Sequence, residues 1–141
     1  MMNDIKFRAF WKGKMRRVLV IDWLNDLVDL EGGYIDIPFT EVELVQSTGL
    51  KDINGIEIYA EDIVREIPEK GYEHLVMNGN LGVVKLNSGS CTIINAKDGR
   101  THFFFYTKQE VLGNIHEHPE LLGDNQCPHY SKLQCSHSQL L

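Results

Sequence analysis

A mainly β domain is the fold class that the 141-residue sequence predicts. The prediction rests on apolar and polar residues alternating at a period of two, on turn dipeptides between the alternating runs, and on β-branched residues inside them. Ile5, Phe7, Ala9 and Trp11 alternate with Lys6, Arg8, Phe10 and Lys12, the pattern of a strand that buries one face. Gly13 permits a turn into Arg16–Asp22, where Val18, Leu19, Val20 and Ile21 supply a second strand, so the chain opens on a hairpin. Leu24, Leu27 and Val28 stand at helical spacing and predict a short helix within Trp23–Leu30, stopped by Gly32 and Gly33.

The Asn54-Gly55 pair is the clearest turn signal, because both residues readily take the positive φ that a tight turn requires. Ile56, Ile58 and the run Asp62–Ile67 then supply further strands. Gly82–Leu86, Cys91–Asn95 and Thr101–Thr107 follow, separated by Asn87-Ser88-Gly89 and Lys97-Asp98-Gly99, and read as a meander. Pro119 suits the first position of a helix, so a short helical turn is expected over Pro119–Leu122. Residues 123–141 shift to Ser, Gln, Asn and His and are expected to form a flexible tail on a domain spanning residues 1–122.

Composition narrows the class of function. No run approaches the roughly 20 apolar residues of a bilayer span, so no membrane association is expected. Asp4, Lys6 and Arg8 interrupt the apolar core that a secretory signal needs, and Cys91, Cys127 and Cys135 lack the spacing of a disulfide scaffold, which together point to a reducing cytoplasm. The net charge of −6 argues against general nucleic-acid binding. Its distribution is uneven: Lys6, Arg8, Lys12, Lys14, Arg16 and Arg17 crowd the start, whereas Val18–Leu50 is acidic throughout.

Those cations, with Phe10 and the run Phe103-Phe104-Phe105-Tyr106, make a single-strand nucleic-acid interface the alternative function, provided that they converge on one face beside an exposed aromatic. His116-Glu117-His118 places two imidazoles two residues apart, a spacing suited to a metal on an extended strand, and exposed polar residues before a helix are the plainer reading. Cys127, His129, Cys135 and His137 form a C-x-H…C-x-H set that resembles four zinc ligands, with a metal-free tail the favoured reading. Phosphate-cradling, nucleophile-elbow and zinc-protease motifs are absent, so neither a catalytic residue nor a cofactor is assigned, and a small hydrolase with an unrecognised carboxylate site stands third. A buried Asp or Glu facing a His in a deep pocket would count against a non-enzymatic binding module.

Separated segments share one further property. Lys6-Phe7-Arg8-Ala9-Phe10, Thr48-Gly49-Leu50-Lys51-Asp52 with Asn54-Gly55 and Glu57-Ile58-Tyr59, Asp62-Ile63-Val64 with Gly82-Val83-Val84, and Gly113-Asn114-Ile115 with Pro119-Glu120-Leu121-Leu122 resemble, in this order, the YopX family of phage and prophage proteins. The resemblance spans residues 5–122 and implies a small SH3-like barrel with additional hairpins, carried by bacteriophages and prophages, with no enzymatic activity attached. The expectation is a non-enzymatic accessory protein that binds an unidentified protein partner of host or phage, self-association being favoured by open strand edges. Glu61 stands where the family often has glycine, Ser47 where an aromatic is common, and His118 where asparagine would cap the Pro119 turn more strongly. Lys51 and Asp52 are expected at exposed turn positions, and Asp62 is expected to accept a hydrogen bond from a nearby backbone N–H.

Overall fold

The computed structural model describes residues 6–87 and 90–123. The alternation from Phe7 onward becomes strand β1 (Phe7–Trp11), which turns through Lys12-Gly13 into β2 (Lys14–Asp22), and Ile5 lies outside the described residues. Both turn residues hold positive φ, 49° and 77°, the geometry whose twist matches that of the flanking strands.

The short helix expected within Trp23–Leu30 does not form. Asp22 accepts the N–H groups of Leu24 and Asn25, both at 3.1 Å, and the Asn25 amide donates back to it at 2.9 Å, which closes a turn. Asp26 then takes a φ of 58°, outside the right-handed helical region, and Leu27–Leu30 continues as β3. Burial explains the choice: on a strand Val28 and Leu30 both face the core at 1% exposure, while Leu24 stays 91% exposed.

β4 (Tyr34–Pro38), a 3₁₀ turn (Phe39–Glu41), β5 (Glu43–Lys51) and β6 (Glu57–Tyr59) complete a six-stranded sheet of order β4-β3-β2-β1-β5-β6. The predicted Asn54-Gly55 turn joins β5 to β6, with Gly55 at a φ of 79°. A second sheet holds β7 (Asp62–Pro68), β8 (Asn80–Asn87), β9 (Ser90–Asn95), β10 (Thr101–Phe103) and β11 (Thr107–Asn114) in the order β10-β9-β8-β7-β11. Its β8-β9-β10 portion is the expected meander, whose β9–β10 turn is held by the Asn95 side chain accepting from Lys97 N–H at 2.7 Å. Ser88 and Gly89 of the other turn lie outside the described residues.

The run Thr101–Thr107 is broken rather than continuous. β10 ends at Phe103, and Phe104–Tyr106 forms a 3₁₀ turn that packs Phe104 against the core and leaves Phe103 and Phe105 exposed. Among the described residues every strand pair is antiparallel, and both sheets keep open edges, β4 and β6 in one and β10 and β11 in the other. The described strands therefore form two sheets and no closed barrel: closure of the second sheet would need β11 to pair with β10, whereas β11 pairs with β7.

Three apolar clusters organise the interior. Ala9, Trp11, Val28 and Leu30 form the first, under the six-stranded sheet. Ile58, Val64, Val84 and Ile93 form the second, on one face of the five-stranded sheet. Ile63, Val83 and Ile115 form the third on its other face, covered by Leu121 and Leu122 of a 3₁₀ turn (Pro119–Leu122). Two covered faces account for the consecutive buried pairs Ile63-Val64 and Val83-Val84, since neighbouring residues of a strand point in opposite directions. The Pro119 turn forms as expected, and His118 makes no side-chain cap.

Candidate functional site

The segments that carry the family resemblance meet where the sheets join. Arg8 of β1 donates to Asp62 Oδ1 at the start of β7, and Asp62 Oδ2 accepts Tyr59 N–H at 2.8 Å, the expected backbone bond. The Arg8 guanidinium also lies 4.4 Å from the centroid of the Tyr59 ring. Glu61 Oε1 contacts His116 Nε2 at 2.5 Å, and the His116 ring stacks on Phe10 with centroids 5.2 Å apart. Glu117 accepts Met15 N–H at 2.9 Å and Asn114 Nδ2–H at 3.0 Å. Arg8, Phe10 and Met15 thus hold one face of the first hairpin against the β6–β7 turn and the loop after β11.

Burial drives the Asp62 carboxyl up to about 6 from 3.8, the Arg8 charge acting in the opposite direction. The hydrogen bond from His116 holds Glu61 below its ordinary value, and burial opposes that effect. Glu61 sits at a φ of 69°, which explains why glycine suits this position. Asp52 corrects an expectation, because it is buried at 8% exposure and not at an exposed turn position. Its Oδ1 accepts Asn54 and Ile56 N–H at 2.8 and 2.9 Å, and its Oδ2 accepts Val111 N–H at 2.9 Å, tying the β5–β6 turn to β11. Burial disfavours the Asp52 anion, and the donors from Val111, Ile56 and Asn54 outweigh it, leaving the carboxyl below its ordinary value. This junction is a structural clamp.

A second polar cluster escaped the sequence reading. Glu66 of β7 is fully buried; its Oε2 meets His102 Nε2 and accepts the Thr107 hydroxyl at 3.0 Å. Its Oε1 and the Nδ2 of Asn80, the residue directly opposite on β8, are buried without a hydrogen-bond partner. Alternation alone would have put a carboxylate at this position only as an outward residue, so nothing local marked it. Neither cleft described below is lined by Glu66 or His102.

The larger cleft is a groove of about 520 Å³ beside β2, walled by Lys6, Phe7, Arg17, Leu19, Trp23 and Tyr59. Trp23 projects from the Asp22 turn and is braced edge-on by Phe7 and Phe39, with centroids 6.2 and 5.6 Å away. Leu19, Val20 and Trp23 are 56%, 53% and 62% exposed. Among the described residues no carboxylate lines the groove. A smaller cleft of about 340 Å³ is lined by Lys51, Asp52, Ile53, Thr107, Lys108 and Gln109. The sequence reading took Val18–Ile21 only as a strand; the run holds more consecutive apolar residues than one buried face consumes, and that excess could have marked the groove.

The clustered cations do not converge. The register sets Arg8 opposite Arg17 and Ala9 opposite Arg16, so Lys6, Arg8 and Arg17 share one face of the hairpin while Lys14 and Arg16 share the other. Lys12 lies in the turn, 4.8 Å from the Trp11 ring, and Arg16 lies 4.7 Å from that of Tyr34. Lys6 pairs with Glu57 at 3.2 Å and Arg17 with Glu31 at 3.7 Å. His116 and His118 also part: His116 faces Glu61, while His118 Nδ1 accepts Asn114 N–H at 3.2 Å. Among the described residues no group of three or more His, Cys, Asp or Glu is placed to hold a metal ion, and Cys127, His129, Cys135 and His137 lie outside the described residues. No helix among the described residues is long and apolar enough to cross a membrane.

Comparison with solved structures finds protein EF1440 from Enterococcus faecalis, 28% identical, with a TM-score of 0.50 over 84% of this chain and 98% of that one. Protein yopX from Bacillus subtilis is similar in fold, with a TM-score of 0.54 at 18% identity over 82% of this chain and 96% of that one. No curated protein matches the sequence. The family model for the YopX protein matches residues 6–123, and the chain belongs to the YopX family.

Proposed function

We propose that this chain is a non-enzymatic binding module, an accessory protein of a bacteriophage or prophage that works in the bacterial cytoplasm by engaging a protein partner. The observation that carries the reading is the groove beside β2, where the braced Trp23 stands exposed with Leu19 and Val20. A rigid aromatic among exposed aliphatic residues is the composition of an interface anchor, not of an ordinary soluble surface. The hydrolase alternative receives less support. The Glu66 carboxylate has no exposed surface, and Oε2 is engaged by His102 and Thr107.

An SH3-like character is proposed for the second sheet alone: its fifth strand, β11, returns beside its first, β7, after the 3₁₀ turn Phe104–Tyr106. The open edges suit self-association as well. The test is affinity capture from host cells with the native chain and with Leu19→Asp and Trp23→Ala variants of matched stability. A discrete set of proteins held by the native chain and lost by both variants is expected; an identical set on all three would remove the groove from the function.

A further inference from the structure

We infer that Arg16, with Lys12 and Lys14 beside it, is a binding site for a carboxylate carried by an acidic segment of a protein partner. The inference rests on the binding-module reading for a protein as the ligand, and adds a second contact outside the groove, whose lining includes Arg17 but not Arg16. The site lies at the turn end of the first hairpin. The register sets Lys14 opposite Trp11 and Arg16 opposite Ala9, so both cations point to the face on which Trp11 and Ala9 are buried. Lys12 Nζ lies 4.8 Å and the Arg16 guanidinium carbon 5.3 Å from the Trp11 ring centroid. The same carbon is 4.7 Å from the centroid of Tyr34, whose ring meets that of Trp11 at 4.9 Å and 59°. Contact with two tilted rings fixes the guanidinium in place before any ligand arrives.

Cations gathered round one ring repel one another, and an anion among them offsets that repulsion. Among the described residues no carboxylate pairs with Lys12, Lys14 or Arg16, and Arg16 Nε is buried with no hydrogen-bond partner. Acidic residues are not scarce, at 20 against 14 Lys and Arg, and Lys6, Arg8, Arg17, Arg65 and Arg100 each pair with one. Glu41 accepts Trp11 Nε1–H at 3.3 Å and forms an ion pair with none of the three. Gly32 keeps the rim open, since a Cβ there would lie 4.0 Å from Arg16 Nη1. The edge of a fixed guanidinium presents parallel N–H groups that match the two oxygens of a carboxylate. Three cations at one spot, in a chain of net charge −6, suit one such group better than a nucleic-acid backbone, which needs cations at successive phosphates.

The test follows the Arg16 Nε–H and Trp11 Nε1–H resonances of the full chain during titration with a short peptide rich in Asp and Glu, its Asn and Gln counterpart, and inorganic phosphate. Both resonances should shift saturably with the acidic peptide and stay in place with the counterpart. Arg16→Lys, which keeps the charge and loses the fork, should weaken the peptide about tenfold or more. Lys14→Glu, at an exposed position outside the stacked rings, should weaken it by a similar factor, whereas Lys70→Glu, the same charge change on the loop after β7, should leave it within about twofold. No saturable shift, equal shifts from the counterpart, indifference to both site variants, or equal weakening by Lys70→Glu would overturn the inference. So would inorganic phosphate that saturates the shifts at a lower concentration than the peptide, which would make the site one for free phosphate. If host proteins are still captured in a Trp23-dependent way while any of these results holds, the carboxylate site fails and the binding-module reading survives.

Discussion

At Asp62 burial and charge oppose each other, and burial prevails. Its carboxyl is lifted to about 6 by burial while Arg8 pulls it down. A raised carboxyl contributes stability that is fully present below the ordinary value of 3.8 and is lost as pH rises through about 6. The difference in unfolding free energy between the native chain and Asp62→Asn should therefore change across that window and stay level outside it. The Asp62 ¹³Cγ shift should titrate near 6, and in Arg8→Met the midpoint should move upward; a midpoint near 4 would remove burial as the dominant cause. Gly55 makes a separate prediction. A Cβ there would meet nothing within 4 Å, so its φ of 79° is the whole constraint. Gly55→Val should cost on the order of 1–3 kcal/mol, read as a lower denaturation midpoint at unchanged m-value.

At the scale of elements, Ile58 lies on β6 of the first sheet and packs with Val64, Val84 and Ile93 of the second. Ile58→Ala should cost about 2–5 kcal/mol and destabilise both sheets together; exchange that accelerates in only one sheet would show that they unfold independently. Strands and turns were legible where local chemistry decides them, as at Asn54-Gly55, Lys97-Asp98-Gly99 and Pro119. The sequence misled where two local patterns overlap: Leu24, Leu27 and Val28 satisfy helical spacing, and only the core beneath β3 favours the strand. Partnerships across the chain were not legible at all. Arg8 and Asp62 are 54 positions apart, and Glu66 and His102 are 36 apart. Nothing in either neighbourhood states that a charge will be buried, and Asp52 was read as exposed because its turn was visible and Val111 was not.

Across the whole molecule, charge is arranged against one of the candidate functions. The hairpin register divides the N-terminal cations between two faces, several already paired or stacked, in a chain of net charge −6. Titration with labelled single-stranded DNA at low salt should give no saturable binding; saturable binding weakened by Arg16→Ala and Lys14→Ala would restore the nucleic-acid reading. What remains is the groove beside β2, whose described lining is cationic and apolar. Photo-crosslinking in host cells from a benzophenone amino acid tests that surface most directly, placed at Val20 in the groove and, as the control, at Ile53 in the smaller cleft. Discrete protein adducts from position 20 and none from position 53 are predicted; adducts from position 53 alone, or the same adducts from both, would contradict the groove as the working surface.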